Sequence, residues 1–170
     1  MRKLDVTKLS ETSVSDDDRS RVIVHLQLTD WPDRTAPGST GHLVQLVQLT
    51  HVLLNTHNTG PHRGPLLVHC SAGVGRTGTF ICVDQIMNNI NSNQISELDI
   101  FHTVYQLRKQ RYHEELNFST HGPYQNFLFR VYMVQTREQY EFLYKCILYY
   151  LEQKQQERKI SNAGTAVSAV

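Results

Sequence analysis

From Arg21 to Leu28, apolar Val22, Val24, Leu26 and Leu28 alternate with Ile23, His25 and Gln27, the two-residue period of a strand with one apolar face. The run Pro65-Leu66-Leu67-Val68 reads as a second strand, ending at His69. A helical period follows from Gly41 to His57, where Leu43, Leu46, Val47, Leu53 and Leu54 recur at three- and four-residue steps until Asn58-Thr59-Gly60-Pro61 stops them. Phe80, Val83, Met87 and Ile90 share one face of another helix, which Asn91-Ser92-Asn93 ends. Ser96-Glu97-Leu98-Asp99 has capping-box spacing and opens a helix to Tyr112 that turns Phe101, Val104 and Leu107 inward. Thr136-Arg137-Glu138-Gln139 has the same spacing; the helix it opens carries Leu143, Tyr144, Ile147, Leu148 and Leu151, then becomes polar from Glu152 to Lys159. Met1 to Ser20 reads as a polar, solvated lead-in, and residues 158–170 as a disordered tail. This order of elements predicts an α/β domain, a mixed β-sheet flanked by helices.

Composition narrows the picture only slightly. At 170 residues, 39% hydrophobic and 19% charged, the chain suits one globular domain. A formal net charge of +1 gives no reason to expect nucleic acid as a partner. Three irregularly spaced cysteines make no disulfide framework and suit a reducing compartment, with Cys82 and Cys146 expected as inert core thiols. No apolar run is long enough for a membrane span, so a cytoplasmic domain is expected. His51, His57 and His62 lack metal-ligand spacing and read as scattered surface histidines.

The chemistry concentrates in His69-Cys70-Ser71-Ala72-Gly73-Val74-Gly75-Arg76-Thr77-Gly78. Between strand and helix, the small residues Ser71, Ala72, Gly73 and Gly75 let backbone N–H groups turn inward around a dianion, and the positive end of the helix points at the same place. Arg76 adds a planar fork that grips two phosphate oxygens at once. In that positive setting the Cys70 thiol should ionise near neutrality, which makes it a nucleophile beside an anion site. Gly73 to Gly78 also spells G-x-G-x-x-G, but the pattern after the helix is helical, where a dinucleotide-binding unit needs a strand. The position after Gly78 is Thr79, where an ATP-type phosphate loop needs lysine.

This run resembles the signature loop of the phosphotyrosine-specific, cysteine-based protein tyrosine phosphatases. Trp31-Pro32-Asp33, with Pro37 beyond it, resembles the mobile general-acid loop of the same family. Leu107 to His113 resembles the end of a family helix, and Met133 to Tyr140 its glutamine loop. The resemblance implies that Cys70 attacks phosphorus, that Ser71, Ala72, Gly73, Val74, Gly75, Arg76 and Thr77 bind the phosphoryl oxygens, and that Asp33 protonates the leaving tyrosine. It further implies that Gln135 orients water against the phosphocysteine with Gln139 assisting, that Trp31 belongs to the substrate site, and that His69 supports the cysteine. No metal or cofactor is required, and the partner is a tyrosine-phosphorylated protein.

The sequence departs from the family pattern in three places. Arg34-Thr35-Ala36 stands where the family has histidine, glycine and a small apolar residue, which predicts a stiffer loop. Glu114 to Tyr132 separates two segments that abut in the family and reads as an insertion, loop-like from Asn117 to Tyr124. The resemblance starts near Arg21, without the strands that flank Pro65 to His69 in the family. The expectation is therefore a partial catalytic domain over residues 21–157, the C-terminal part of the family fold, lacking the N-terminal part of the sheet. Two alternatives remain open: an impaired phosphatase fragment that binds phosphoproteins, and a redox or sulfur-transfer enzyme with a similar loop, for which Asp33 would have no role.

Overall fold

The computed structural model describes residues 1–7, 20–57, 65–92, 97–118 and 132–167. In chain order they form strands β1 (Arg2–Thr7) and β2 (Ser20–His25), then helices α1 (Thr40–His57), α2 (Gly75–Asn91), α3 (Ile100–Phe118) and α4 (Arg137–Val167).

The four helices carry the core. Helix α2 packs on α1, α3 and α4, and α1 also meets α4. Between them lie Leu43, Val44 and Val47 of α1, Cys82, Val83, Ile86 and Met87 of α2, Val104 and Leu107 of α3, and Leu143, Cys146 and Ile147 of α4. Two polar ties lock the helix pairs together. His51 on α1 bonds to Asp84 on α2, and the Tyr150 hydroxyl on α4 donates to Asn91 Oδ1 at 2.6 Å. His51 is thus a half-buried link between helices rather than scattered surface histidine.

The sheet is where expectation and structure part. Among the described residues it has two antiparallel strands, not a mixed set, with Leu4 opposite Ile23 and Asp5 opposite Val22. Residues 2–7 of the expected lead-in are therefore a strand, built on the alternation of Leu4 and Val6 with Lys3 and Asp5. The expected apolar face is only partly buried: Val22 is 63% exposed, Val24 and Leu26 are half-buried, and Leu28 packs against the core. Leu26 to Leu28 lies beyond the ladder in no regular element, and so does Pro65 to Cys70, which has no strand partner among the described residues. A strand is defined by the neighbour that takes its N–H and C=O groups, so an apolar run alone does not make one.

The helices follow the sequence pattern with corrections of phase and length. Asp99, not Ser96, caps α3: its carboxylate accepts the His102 N–H at 2.7 Å and its carbonyl the Thr103 N–H at 3.2 Å. Ser96 itself lies outside the described residues. This start turns Ile100, Val104 and Leu107 inward and leaves Phe101 67% exposed. On α4 the buried stripe is Phe142, Leu143, Cys146, Ile147 and Tyr150, while Tyr144 and Leu148 face out. Helix α3 runs to Phe118, past the expected start of the insertion loop, and residues 119–131 of that insertion lie outside the described residues. Helix α4 runs to Val167, through most of the segment expected as a disordered tail.

Candidate active site

The loop between Cys70 and α2 curls around the cysteine sulfur. Gly73 makes the turn with φ +67°, a left-handed conformation that only glycine adopts without strain. No side chain caps α2, whose N-cap is Val74, so the amides of its first turn stay open toward the loop. Gly78 lets α2 approach the chain at Met133 and Val134: a Cβ there would lie 2.5 Å from the Val134 nitrogen. A Cβ on Gly75 would lie 3.1 Å from the Gln135 side-chain oxygen, so the two glutamines of the 135–139 segment reach the loop from one side.

Burial alone would push the half-buried Cys70 thiol up. Hydrogen bonding from the Thr77 hydroxyl and from the backbone N–H groups of Thr77, Val74 and Gly73 outweighs it and brings the thiol from 9.0 down to about 7. Of the positive setting expected around Cys70, the loop amides and the Thr77 hydroxyl carry the lowering, while the Arg76 guanidinium is turned toward Trp31 and Asp33. Burial pushes the thiols of Cys82 and Cys146 up to about 12, in keeping with their place in the core. Thr77 Oγ1 is buried and has no other partner among the described residues, so its proton is available to the Cys70 sulfur.

Arg76 joins this loop to the one that carries Asp33. Its Nη1 donates to the Trp31 carbonyl at 3.1 Å and its Nη2 to Asp33 Oδ1 at 3.2 Å, while its buried Nε has no partner. The Asp33 carboxylate is 67% exposed, so the pair sits at the mouth rather than in the core. Trp31 is buried, and its indole N–H donates to the Thr35 carbonyl at 2.8 Å. Its buried ring anchors the 31–35 turn to the core. Before it, Asp30 bonds the His42 ring at 2.9 Å and ties the loop entrance to α1.

The third segment is clamped by a residue with no role foreseen from the sequence. Arg108 on α3 donates from Nε to the Met133 carbonyl and from its terminal nitrogen to the Val134 carbonyl, both at 2.9 Å. Val134 stands at φ 60°, costly for a β-branched residue, so this two-point grip fixes the backbone that presents Gln135. Gln139 is fully buried, and the described bonds of its side chain are all to backbone groups. Its side-chain oxygen accepts the N–H groups of Gln135 at 2.9 Å and Thr136 at 3.3 Å, and its backbone N–H donates to Thr136 Oγ1 at 3.2 Å. That is a reciprocal capping box at the start of α4, a structural commitment for a residue expected to contact substrate. Gln135 and the loop residues Ser71 and Ala72 remain partly or fully exposed around Cys70. His69 is exposed, with a ring nitrogen 3.3 Å from the Cys70 carbonyl oxygen.

A cysteine ringed by amide donors at a helix N-terminus, with an arginine of the same loop paired to an aspartate, is an arrangement suited to an anionic ester. A family model of protein-tyrosine phosphatases matches residues 1–115. Mouse tyrosine-protein phosphatase non-receptor type 20 is 40% identical over 134 residues, 79% of this chain and 25% of that protein. Rat receptor-type tyrosine-protein phosphatase V is 35% identical over 130 residues, 76% of this chain and 6% of that one. Chicken receptor-type tyrosine-protein phosphatase eta is 32% identical over 152 residues, 89% of this chain and 9% of that one. The chain belongs to the protein-tyrosine phosphatase family, and it spans a quarter or less of the length of these three relatives. The family match takes in Met1 to Ser20, so the resemblance begins before Arg21, while Gln135 and Gln139 lie beyond it. No helix among the described residues is long and apolar enough to cross a membrane.

Proposed function

We propose that this chain hydrolyses phosphotyrosine in proteins through a phosphocysteine intermediate. The observation that carries the proposal is the Cys70 thiol, brought down to about 7 by the loop amides and Thr77 while Arg76 bridges to Asp33. In the first step the Cys70 thiolate attacks phosphorus in line; an S–P bond forms, the P–O bond to tyrosine breaks, and protonated Asp33 gives its proton to the departing oxygen. The amides of the Ser71 to Thr77 loop and the otherwise unpartnered Arg76 Nε stabilise the equatorial oxygens. In the second step, water oriented by Gln135 passes a proton to the Asp33 carboxylate and attacks phosphorus. The S–P bond then breaks, and the Thr77 hydroxyl receives the returning thiolate. The reaction needs no electron acceptor and no metal Lewis acid, since the phosphoryl charge is met by arginine and backbone dipoles.

The test is hydrolysis of p-nitrophenyl phosphate and of a phosphotyrosyl peptide by the purified chain, with Cys70→Ser alongside. Turnover that Cys70→Ser abolishes and Asp33→Asn slows by on the order of 10²-fold or more is expected. Equal release from wild type and Cys70→Ser refutes the proposal. Saturable peptide binding without release would instead support the phosphoprotein-binding reading, and turnover indifferent to Asp33→Asn a different thiol chemistry.

A further inference from the structure

Three hydrogen bonds in the turn that carries Asp33 converge on Thr35. The Thr35 carbonyl accepts the Trp31 indole N–H at 2.8 Å and the Gln139 amide N–H at 3.1 Å, and the Thr35 hydroxyl donates back to the Pro32 carbonyl at 3.0 Å. Arg34, between them, stands at φ 59°, a left-handed conformation that a non-glycine residue keeps only when its surroundings hold it there. The orientation of the Gln139 amide is fixed by its partners. Its oxygen faces two N–H donors, Gln135 and Thr136, and its nitrogen faces a carbonyl, so a flipped amide would lose every bond. One buried side chain thus holds the backbone of Gln135 with its oxygen and the loop of Asp33 with its nitrogen.

We propose that Thr35 and Gln139 are positioning residues for the general acid: the Thr35 carbonyl knots the 31–35 turn shut, and Gln139 fastens that knot to the segment that presents Gln135. The proposal rests, for its catalytic consequence, on the phosphatase reading above. Gln139 acts through Asp33 and not by touching water or substrate, since its described bonds all go to backbone groups and Thr136. A hydroxyl and a carbonyl of one residue both take part in the knot.

Two variants separate this role from simple stability. Gln139→Glu keeps the acceptor that caps α4 and replaces the donor to Thr35 with a second acceptor. Thr35→Val keeps shape and carbonyl, removes the bond to Pro32, and lies on an exposed residue that cannot unfold the core. Turnover is read on phosphotyrosine, whose leaving group needs a proton, and on p-nitrophenyl phosphate, which needs one less. The expected result is a fall of about tenfold on phosphotyrosine and only about two- to threefold on p-nitrophenyl phosphate, with no further loss in an Asp33→Asn background. Equal losses on both substrates, or losses that multiply in full with Asp33→Asn, overturn the proposal. The chain has one tryptophan, so acrylamide quenching of Trp31 fluorescence reports the knot without turnover. Both variants should raise quenching, and unchanged quenching in Thr35→Val overturns the knot. Should Cys70→Ser turn over as wild type does, the phosphatase reading fails by itself, and quenching still decides the knot.

Discussion

Replacing Thr77 by valine isolates the hydroxyl that faces the Cys70 sulfur. At an ordinary 9.0 the thiol would be about 1% ionised at pH 7, and at about 7 it is about half ionised, so burial, which raises it, and the four hydrogen bonds, which outweigh burial, leave a net rise in thiolate fraction of about fiftyfold. The Thr77 side chain gives the largest of those four. Its loss should leave about 5–15% thiolate at pH 7 and slow alkylation by iodoacetamide about three- to tenfold, with the two rates converging above about pH 10. The assay reads one site, because burial pushes the other two thiols, Cys82 and Cys146, up to about 12. Because this hydroxyl stabilises the folded thiolate, its removal should also lower stability, by more at pH 9 than at pH 6. An alkylation profile for Thr77→Val whose midpoint stays at about 7 would refute the assignment of the shift to this hydroxyl.

Other consequences follow from the same contacts. Gly78→Ala sets a methyl 2.5 Å from the Val134 nitrogen and 3.0 Å from the Met133 Cα, both backbone, and should lower stability by about 1–3 kcal/mol in urea unfolding. Arg108→Met removes two charged hydrogen bonds to the Met133 and Val134 carbonyls; a loss of about 2–4 kcal/mol is expected, together with slower turnover if Gln135 orients water. For Cys70 the folded chain favours the thiolate, so this contribution to stability is fully present above about 9, lost as pH falls toward about 7, and absent below. The melting temperature of wild type relative to Cys70→Ser should therefore be higher at pH 9 than at pH 6, and a difference independent of pH would contradict the lowered thiol.

What the sequence disclosed was local. The Cys70 to Gly78 loop is continuous in the chain, and its small residues, its arginine and the helix after it can be read together. The capping box at Thr136 and Gln139 is legible for the same reason: both partners lie within one turn. Pairings across the chain were not legible. Nothing near Arg108 announces that it will hold carbonyls 25 and 26 positions away. Nor does Gln139 announce a bond to Thr35 across 104 positions. Strand β1 carried a signal in the alternation of Leu4 and Val6, but six residues in a polar setting are a weak one, and only pairing with β2 makes it a strand. The Phe101 error was one of phase. Once Asp99 is the cap, the inward positions shift to Ile100, Val104 and Leu107. The loop amides around Cys70 were legible, but residue types do not give the direction of Arg76, which points to Asp33 and Trp31.

The account depends on Cys70 becoming covalently phosphorylated. Rapid quenching of the chain with a phosphotyrosyl peptide, followed by mass spectrometry of the peptide that contains Cys70, tests this most directly, with Gln135→Ala used to slow the second step. A phosphoryl group on Cys70 that accumulates faster than free phosphate appears, and is absent in Cys70→Ser, is the predicted result. Phosphate released with no such adduct, or an adduct at another residue, would contradict it.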